Sequence, residues 1–221
     1  MEQKRKQIYG LIGYPVKHSF SAAMHNSAFS HLGMNAEYKL FAVNPQELKY
    51  FFPRVIPLKD INNEEFSYED LHGFNVTIPH KETVLEFLNE ISPAALKIRA
   101  VNTISVHNGS EFKGFNTDFS GFARHITELE VNTDKVGMIG AGGAARAVAY
   151  ALKTKKAEEL ENKLRGLKIS RLKDEFIIKI IDVMPTTVDD LKTLLQGYVV
   201  SVGQEDMKKI VEIVKTFTSE K

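Results

Sequence analysis

The sequence of 221 residues contains no cysteine. Disulfide bonds, cysteine-ligated metal centres and catalysis by a thiol are therefore excluded. No apolar stretch approaches the roughly 20 residues that a membrane-spanning helix needs, so we expect no membrane partner. Neither sign of charge dominates, because 29 lysines and arginines nearly balance 28 aspartates and glutamates. This balance gives no electrostatic reason to expect nucleic acid as a partner.

The composition is typical of a soluble globular protein, with 43% hydrophobic and 26% charged residues. The length fits one large domain or two small ones. The first 16 residues begin with a basic stretch and become apolar, as a signal peptide does. Gly10, Gly13 and Pro15 interrupt the apolar part, however, and this pattern favours a strand and a turn. We therefore expect a cytoplasmic protein, and we predict no metal site.

Strand-like and helix-like segments alternate along the chain, and this alternation predicts an α/β fold. In the first part, strands are predicted at residues 7–15, 36–43, 71–79 and on both sides of a turn at Asn108 and Gly109, and helices at residues 21–33, 44–55, 80–92 and 118–131. In the second part, strands are predicted at residues 136–139, 166–171, 176–183 and 197–203, and helices at residues 145–164, 186–195 and 204–221.

A glycine-rich turn, "GAGGAA" at residues 140–145, has the G-x-G-x-x-G/A spacing of dinucleotide-binding units. Gly140 suits a tight turn, Gly142 leaves room for a pyrophosphate, and the small Ala145 lets helix and strand pack closely. The pyrophosphate would then meet the free N–H groups of the following helix. The apolar segment before the turn and the alanine-rich segment after it favour nucleotide binding over a plain turn.

Such folds select their dinucleotide at the end of the second strand, with an acidic residue for a ribose hydroxyl or an arginine for a phosphate. Arg171 follows the first segment that fits a second strand, and Asp182 follows the next. For each of them, a solvated surface charge is an equally good interpretation.

Two serines, Ser19 and Ser21, are spaced two residues apart. Alternate residues of an extended segment face the same side, so both hydroxyls would converge on one ligand. The alternative is that either serine caps the helix that follows. The two roles are compatible, because a helix N-terminus also favours a carboxylate.

A lysine, Lys81, follows the apolar strand that ends at Pro79, where a solvated surface charge would be the simplest interpretation. Asparagine and threonine occur in sequence twice, at residues 102–103 and 116–117, and Asp118 follows the second pair. Such residues most often form turns. A lysine beside a carboxylate is also a recurrent proton-transfer pair. Spacing alone does not show whether Lys81 and Asp118 meet.

Five segments, in this order and spacing, resemble the shikimate dehydrogenase family. They are "GLIGYPVKHSFSAAMHN" at 10–26, "GFNVTIPHKE" at 73–82, "RAVNTI" at 99–104, "GFNTDFSGF" at 114–122 and "GAGGAARAV" at 140–148. The resemblance covers residues 8–152. The segment with which the family recognises NADP is echoed only in part at residues 169–171, and the chain is shorter than a typical member.

The resemblance implies an N-terminal α/β substrate-binding domain followed by a reduced Rossmann-like dinucleotide-binding domain. We expect the first over residues 1–118, a linking helix over 119–134, the second over 135–205 and a closing helix over 206–221. The implied catalytic residues are Lys81 and Asp118, the substrate-binding residues are Ser19, Ser21, Thr77 and Asn102, and the cofactor-binding residues are Gly140, Ala141, Gly142, Gly143, Ala144 and Arg171.

The activity that the resemblance implies is the reversible reduction of 3-dehydroshikimate to shikimate by NADPH, in a monomer or homodimer. Quinate is a second possible substrate. Two other hypotheses remain: a relative that binds a shikimate-like ligand without turning it over, which the reduced cofactor half favours, and a different Rossmann-type enzyme, which the five ordered segments disfavour.

Overall fold

A computed structural model describes residues 5–107, 110–133, 135–169, 172–195 and 202–218. The chain divides into two compact units, Met1–Tyr150 and Ala151–Lys221. The first unit contains the strands β1 (Gln7–Gly13), β2 (Ala36–Ala42), β3 (Leu58–Lys59), β4 (Glu65–Phe66), β5 (Leu71–Val76), β6 (Glu90–Ile91), β7 (Thr103–His107) and β8 (Glu111–Phe115). Its helices are α1 (Ser21–His31), α2 (Leu48–Phe51), α3 (Pro93–Ile98) and α4 (Thr117–Glu128), with 3₁₀ turns at Tyr68–Asp70 and Thr83–Phe87.

Six strands of the first unit form one mixed sheet in the order β2-β1-β5-β7-β8-β6. β1 runs parallel to both β2 and β5, whereas β7 is antiparallel to β5 and to β8. Since parallel strands end at one edge, β1, β2 and β5 all end where β7 begins and where β8 ends. This edge of the sheet collects the residues that follow four different strands. It is called the catalytic edge below, because the predicted catalytic residues Lys81 and Asp118 follow two of these strands.

A large hydrophobic core fixes the sheet. Phe74 of β5 lies among aromatic rings from α2 and β8, with ring centroids 5.8 Å from Phe51 and 5.9 Å from Phe52. Phe52 stacks on Phe87 at 5.2 Å. Such rings bury much apolar area, and their pair geometry adds a modest further stabilisation. The backbone of β5, which leads to the catalytic edge, is therefore held from inside the core.

The helix α5 (Gly143–Gly166) begins in the first unit and continues into the second, which also contains α6 (Asp174–Val183), α7 (Val188–Leu195) and α8 (Gln204–Thr218). The second unit has its own apolar core, built from buried side chains of these helices. α8 buries Ile210, Val211 and Val214 along one face, as its predicted helical pattern requires. None of the described helices is both long enough and apolar enough to cross a membrane.

The mixed α/β class is confirmed. Among the described residues no strand follows β8, so the predicted Rossmann-like domain shows the glycine turn and α5 without a strand. The strand predicted at 176–183 is wrong, because these residues lie in α6 and bury Phe176, Ile177 and Ile180 on one helical face. The strand predicted at 136–139 does not form, and Gly166 to Ile169, from the strand predicted at 166–171, do not belong to a strand either. Most of the strand predicted at 197–203 lies outside the described residues.

Of the helices predicted at residues 80–92, 186–195 and 204–221, two are confirmed and one differs from the structure. The helix predicted at 80–92 is a 3₁₀ turn followed by the short strand β6. The helix predicted at 186–195 is confirmed as α7, and the helix predicted at 204–221 is confirmed as α8 over its described residues. Asn108 and Gly109, the predicted turn residues between β7 and β8, lie outside the described residues. The finer domain bounds at residues 118, 134 and 205 stay a prediction.

Candidate active site

The predicted catalytic pair meets at the catalytic edge. Lys81 follows β5 and Asp118 lies in the first turn of α4, after β8. Lys81 Nζ donates a hydrogen bond to Asp118 Oδ2 over 2.5 Å. The side chains are 18% and 33% exposed, so the pair is partly shielded from water while remaining within reach of a ligand. The first turn of a helix also favours a carboxylate, because its N–H groups point toward it.

Asn102 connects the pair to the sheet. Its Nδ2 donates to Asp118 Oδ1 over 2.8 Å and to Thr117 Oγ1 over 2.9 Å, and its Oδ1 accepts from the Thr117 N–H over 2.8 Å. The side chain is 8% exposed. Asn116 caps α4, since its Oδ1 accepts from the Phe119 N–H over 3.0 Å. Both oxygens of the Asp118 carboxylate are thus occupied, and its position is fixed from the sheet and from the helix.

Asn75 belongs to the same network, although the sequence analysis did not single it out. Its Oδ1 accepts from Tyr38 Oη over 2.7 Å, and its Nδ2 donates to Thr103 Oγ1 over 3.2 Å and to the Asn102 carbonyl over 3.3 Å. Burial raises the pKa of the Tyr38 hydroxyl, which therefore stays a donor. The signal that could have found Asn75 is its position two residues before Thr77, on the same face of an extended segment.

Ser19 and Ser21 lie beside each other after β1, with 3.0 Å between their hydroxyl oxygens. Ser19 Oγ also accepts from the Ser21 N–H over 3.2 Å. The N-cap residue of α1 is Phe20, whose side chain makes no capping hydrogen bond, so it is Ser19 that satisfies the N–H of the first helical residue. The chain after β1 is tied to the chain after β5, because the Tyr14 N–H donates to the Ile78 carbonyl over 2.9 Å. The geometry therefore leaves two paired hydroxyls at the catalytic edge.

His80 precedes Lys81 and is 1% exposed. Its Nε2 lies 2.6 Å from the Val43 carbonyl, which requires an N–H at that nitrogen. Burial lowers the pKa of His80, so the ring is held neutral. The His80 N–H also donates to the Thr77 carbonyl over 2.9 Å. His80 thus anchors the segment that carries Lys81, and no pattern in the sequence indicated this.

The glycine turn faces Lys81 across a cavity of about 470 Å³. The cavity is lined from one side by residues between Thr77 and Glu82 and from the other by residues between Ile139 and Ala145. Gly140 has φ +107°, a conformation that favours glycine. Side chains added at Gly140 or Gly142 would meet nothing within 4 Å. This open backbone at the start of α5 fits the pyrophosphate of a dinucleotide.

The other residues predicted to bind the cofactor do not all lie at this cavity. Gly143 and Ala144 both line the cavity, although a side chain added at Gly143 would meet Ala100 and Lys81. Arg171 lies outside the described residues. Asp182 is exposed in α6 and does not end a second strand.

A second cavity, of about 480 Å³, lies on the sheet face beside α1. Asn75 and Thr103 line it together with Tyr38 and His25, whose rings stack at 4.4 Å. Asn75 and Thr103 of the polar network therefore border this space, whereas Lys81, Asp118 and the predicted substrate-binding residues do not line it. Among the described residues, no cluster of three or more histidine and acidic side chains could hold a metal ion.

Two family models match this chain. Residues 11–104 match the shikimate dehydrogenase substrate-binding domain. Residues 122–218, which include α5 to α8, match RNA polymerase Rpb4. Both matches span less than half of the chain.

Individual relatives extend the first match. The shikimate dehydrogenase (NADP(+)) of Desulforamulus reducens is 46% identical over 152 residues, which are 67% of this chain and 48% of the relative. That of Aquifex aeolicus is 34% identical over 208 residues, 93% of this chain and 72% of the relative. The crystal structure of shikimate 5-dehydrogenase from Thermus thermophilus in complex with NADP(H) and shikimate is 33% identical, with a TM-score of 0.57 over 67% of this chain and 52% of that one.

The chain spans about half the length of the Desulforamulus reducens relative and of two Bacillus relatives with the same name. The Aquifex aeolicus relative nevertheless aligns through most of both chains. The resemblance predicted from five segments is confirmed, and the chain belongs to the shikimate dehydrogenase family.

Proposed function

We propose that this chain interconverts shikimate and 3-dehydroshikimate, with NADP as the hydride carrier. The observation that carries the proposal is the Lys81–Asp118 pair, which Asn102 holds at the catalytic edge opposite the glycine turn. The Thermus thermophilus relative, solved with both NADP(H) and shikimate, supports the choice of ligands. The proposal includes a cytoplasmic location and a monomer or homodimer, which size-exclusion chromatography would distinguish.

The substrate would be held by neutral donors and by one cation. We assign its carboxylate to the paired hydroxyls of Ser19 and Ser21. Its ring hydroxyls would be bound by Thr77, Asn102 and Asp118, as the family resemblance implies, with Lys81 beside the reacting oxygen. Buried hydroxyl and amide groups reject analogues that lack the matching polar group, because the protein groups would then lose their partners.

Proton transfer is the task of Lys81. When bound, NADPH would supply the hydride that reduces the ketone carbon. Negative charge then grows on the ketone oxygen, and the Lys81 ammonium stabilises this charge and donates a proton to it. In the oxidation direction the neutral amine accepts the hydroxyl proton. Asp118 orients the amine in both directions, and Asn102 keeps the carboxylate from rotating away.

Cofactor binding would begin at the glycine turn. The N–H groups at the start of α5 would bind the pyrophosphate, which approaches the open backbone at Gly140 and Gly142. Ala141 and Ala144 complete this part of the turn, and Arg171 is proposed to meet the 2′-phosphate that distinguishes NADP from NAD.

Lys81→Ala provides the test. The rate of NADPH formation from shikimate and NADP is followed by absorbance, and shikimate affinity is measured by calorimetry. General acid–base catalysis contributes about 10²–10⁴-fold, so kcat should fall by about this factor while shikimate affinity changes only a few-fold. Lys97→Ala, an exposed lysine in α3, is the matched control and should leave both quantities unchanged.

Two results would contradict the proposal. If the unaltered protein binds shikimate but reduces neither NADP nor NAD, with shikimate or with quinate, it is a binding protein and not a dehydrogenase. If Lys81→Ala loses affinity and keeps kcat, the lysine binds substrate without transferring a proton.

A further inference from the structure

Two adjacent glycines of the glycine turn have different surroundings. A Cβ atom at Gly142 would meet nothing within 4 Å. At Gly143 it would lie 2.9 Å from Ala100 Cβ and 3.2 Å from Lys81 Cβ. Ala100 is completely buried, so it has no free space to move into. Because Gly143 has no side chain, α5 can lie close to the backbone that carries Lys81. Gly142 has no side chain either, but the space beside it is open.

Three further residues of α5 contact the neighbourhood of the catalytic pair. Arg146 Nη2 lies 2.9 Å from a carboxylate oxygen of Glu82, the residue after Lys81. Ala147 is completely buried in a cluster with Ile98 and Ala100. The ring of Tyr150 packs on that of Phe119, the residue after Asp118, with 4.9 Å between the centroids.

These four contacts form one helical stripe. Gly143, Arg146, Ala147 and Tyr150 are spaced i, i+3, i+4 and i+7, so they share a single face of α5. The stripe contacts the Lys81 side through Gly143 and Arg146, and it contacts the Asp118 side through Tyr150. The Val101 N–H completes the arrangement by donating to the Lys81 carbonyl over 2.8 Å, beside Ala100.

We infer that this stripe of α5 positions the Lys81–Asp118 pair, so that the helix that begins the cofactor site also sets the geometry of proton transfer. This inference rests on the proposed function for its catalytic meaning. Gly143 is then a positioning residue for Lys81, and its role differs from that of Gly142. All four contacts lie within the first unit, so the glycine turn and the catalytic pair belong to one compact body.

The same substitution at neighbouring positions tests the inference. Gly143→Ala must displace either Lys81 or the start of α5, and Gly142→Ala displaces neither. The side-chain NMR resonances of Lys81, assigned with Lys81→Arg, should shift in Gly143→Ala and stay in place in Gly142→Ala, without any ligand present. A displacement of about 1 Å costs on the order of 100-fold in rate, so kcat of Gly143→Ala should fall by about that factor. Gly142→Ala should instead raise the dissociation constant of NADP.

Glu82→Gln provides a second route if Gly143→Ala does not fold. It removes the ion pair with Arg146 and adds no volume, and it should move the Lys81 resonances in the direction seen for Gly143→Ala, by less. Unchanged Lys81 resonances in both variants would overturn the inference. An unaltered protein without dehydrogenase activity would refute the proposed function. The positioning by α5 would still be tested, because the spectra need no cofactor.

Discussion

Replacing Asn102 with alanine is expected to lower the free energy of unfolding of the first unit by about 2–3 kcal/mol. The side chain is 8% exposed, and it bonds to the Asp118 carboxylate and to the Thr117 N–H. A hydrogen bond to a charged group contributes about 1.5–3 kcal/mol and a neutral one about 0.5–1.5 kcal/mol. We take the lower part of the sum, because Asp118 is 33% exposed and water will replace part of the lost bond.

Native-state hydrogen exchange of the β7 and β8 amides is the appropriate assay. These amides belong to the sheet of the first unit, and amides in central strands exchange only through extensive unfolding. Asn89→Ala is the matched control. Asn89 Oδ1 accepts one bond, from the Phe112 N–H over 2.8 Å, in the same sheet, and its loss should cost about 1 kcal/mol. Equal losses at the two positions, or a loss below about 1 kcal/mol at Asn102, would refute the role given to the carboxylate network.

Two further predictions concern ligand affinity and pH. The double variant Ser19→Ala, Ser21→Ala should weaken shikimate binding by about 1–3 kcal/mol, the contribution of a charge-assisted hydrogen bond; an unchanged dissociation constant in calorimetry would leave the serines without a ligand role. Since burial lowers the pKa of His80, the unfolded chain binds the extra proton first, and stability should fall as the pH drops below the unfolded value of 6.5. His80→Gln keeps an N–H donor for the Val43 carbonyl and should lose this part of the pH dependence in chemical denaturation; a dependence equal to that of the unaltered protein would contradict the assignment.

The residues of the catalytic edge were predicted from the resemblance of five ordered segments to a known family, because the strand ends alone also fitted a surface lysine, a helix cap and turns. Ser19, Thr77, Lys81 and Asp118 lie within six residues after β1, β5 or β8, and the ends of these strands meet at one sheet edge. Asn75 and His80 were not found, for a different reason. The amide of Asn75 lies inside an apolar strand, and the function of His80 depends on the Val43 carbonyl, 37 positions away in sequence. Only the tertiary fold brings such partners together.

The strand predicted at 176–183 was wrong because isolated β-branched runs are ambiguous, whereas the helices α7 and α8 of the same half were predicted correctly. Residues 176–183 are rich in isoleucine and favour a strand by propensity, yet their buried positions follow a helical face. Residues 136–139 illustrate another limit. A strand needs a neighbour to satisfy its backbone hydrogen bonds, and within the described residues no strand follows β8 along the chain. Local pattern alone could not supply that information.

The reversal of chain direction at β7 explains how Lys81 and Asp118 meet. Thr103 pairs with Asn75 across the β5–β7 boundary and with Phe115 across the β7–β8 boundary. If β7 ran parallel to β5, Asn102 would lie at the opposite edge of the sheet and could not bond to a residue that follows β5. The antiparallel hairpin predicted from Asn108 and Gly109 therefore carries functional information. It requires residues 102–103 and 116–117 to lie side by side, and Asp118, one residue further on, then lies within reach of a lysine that follows β5.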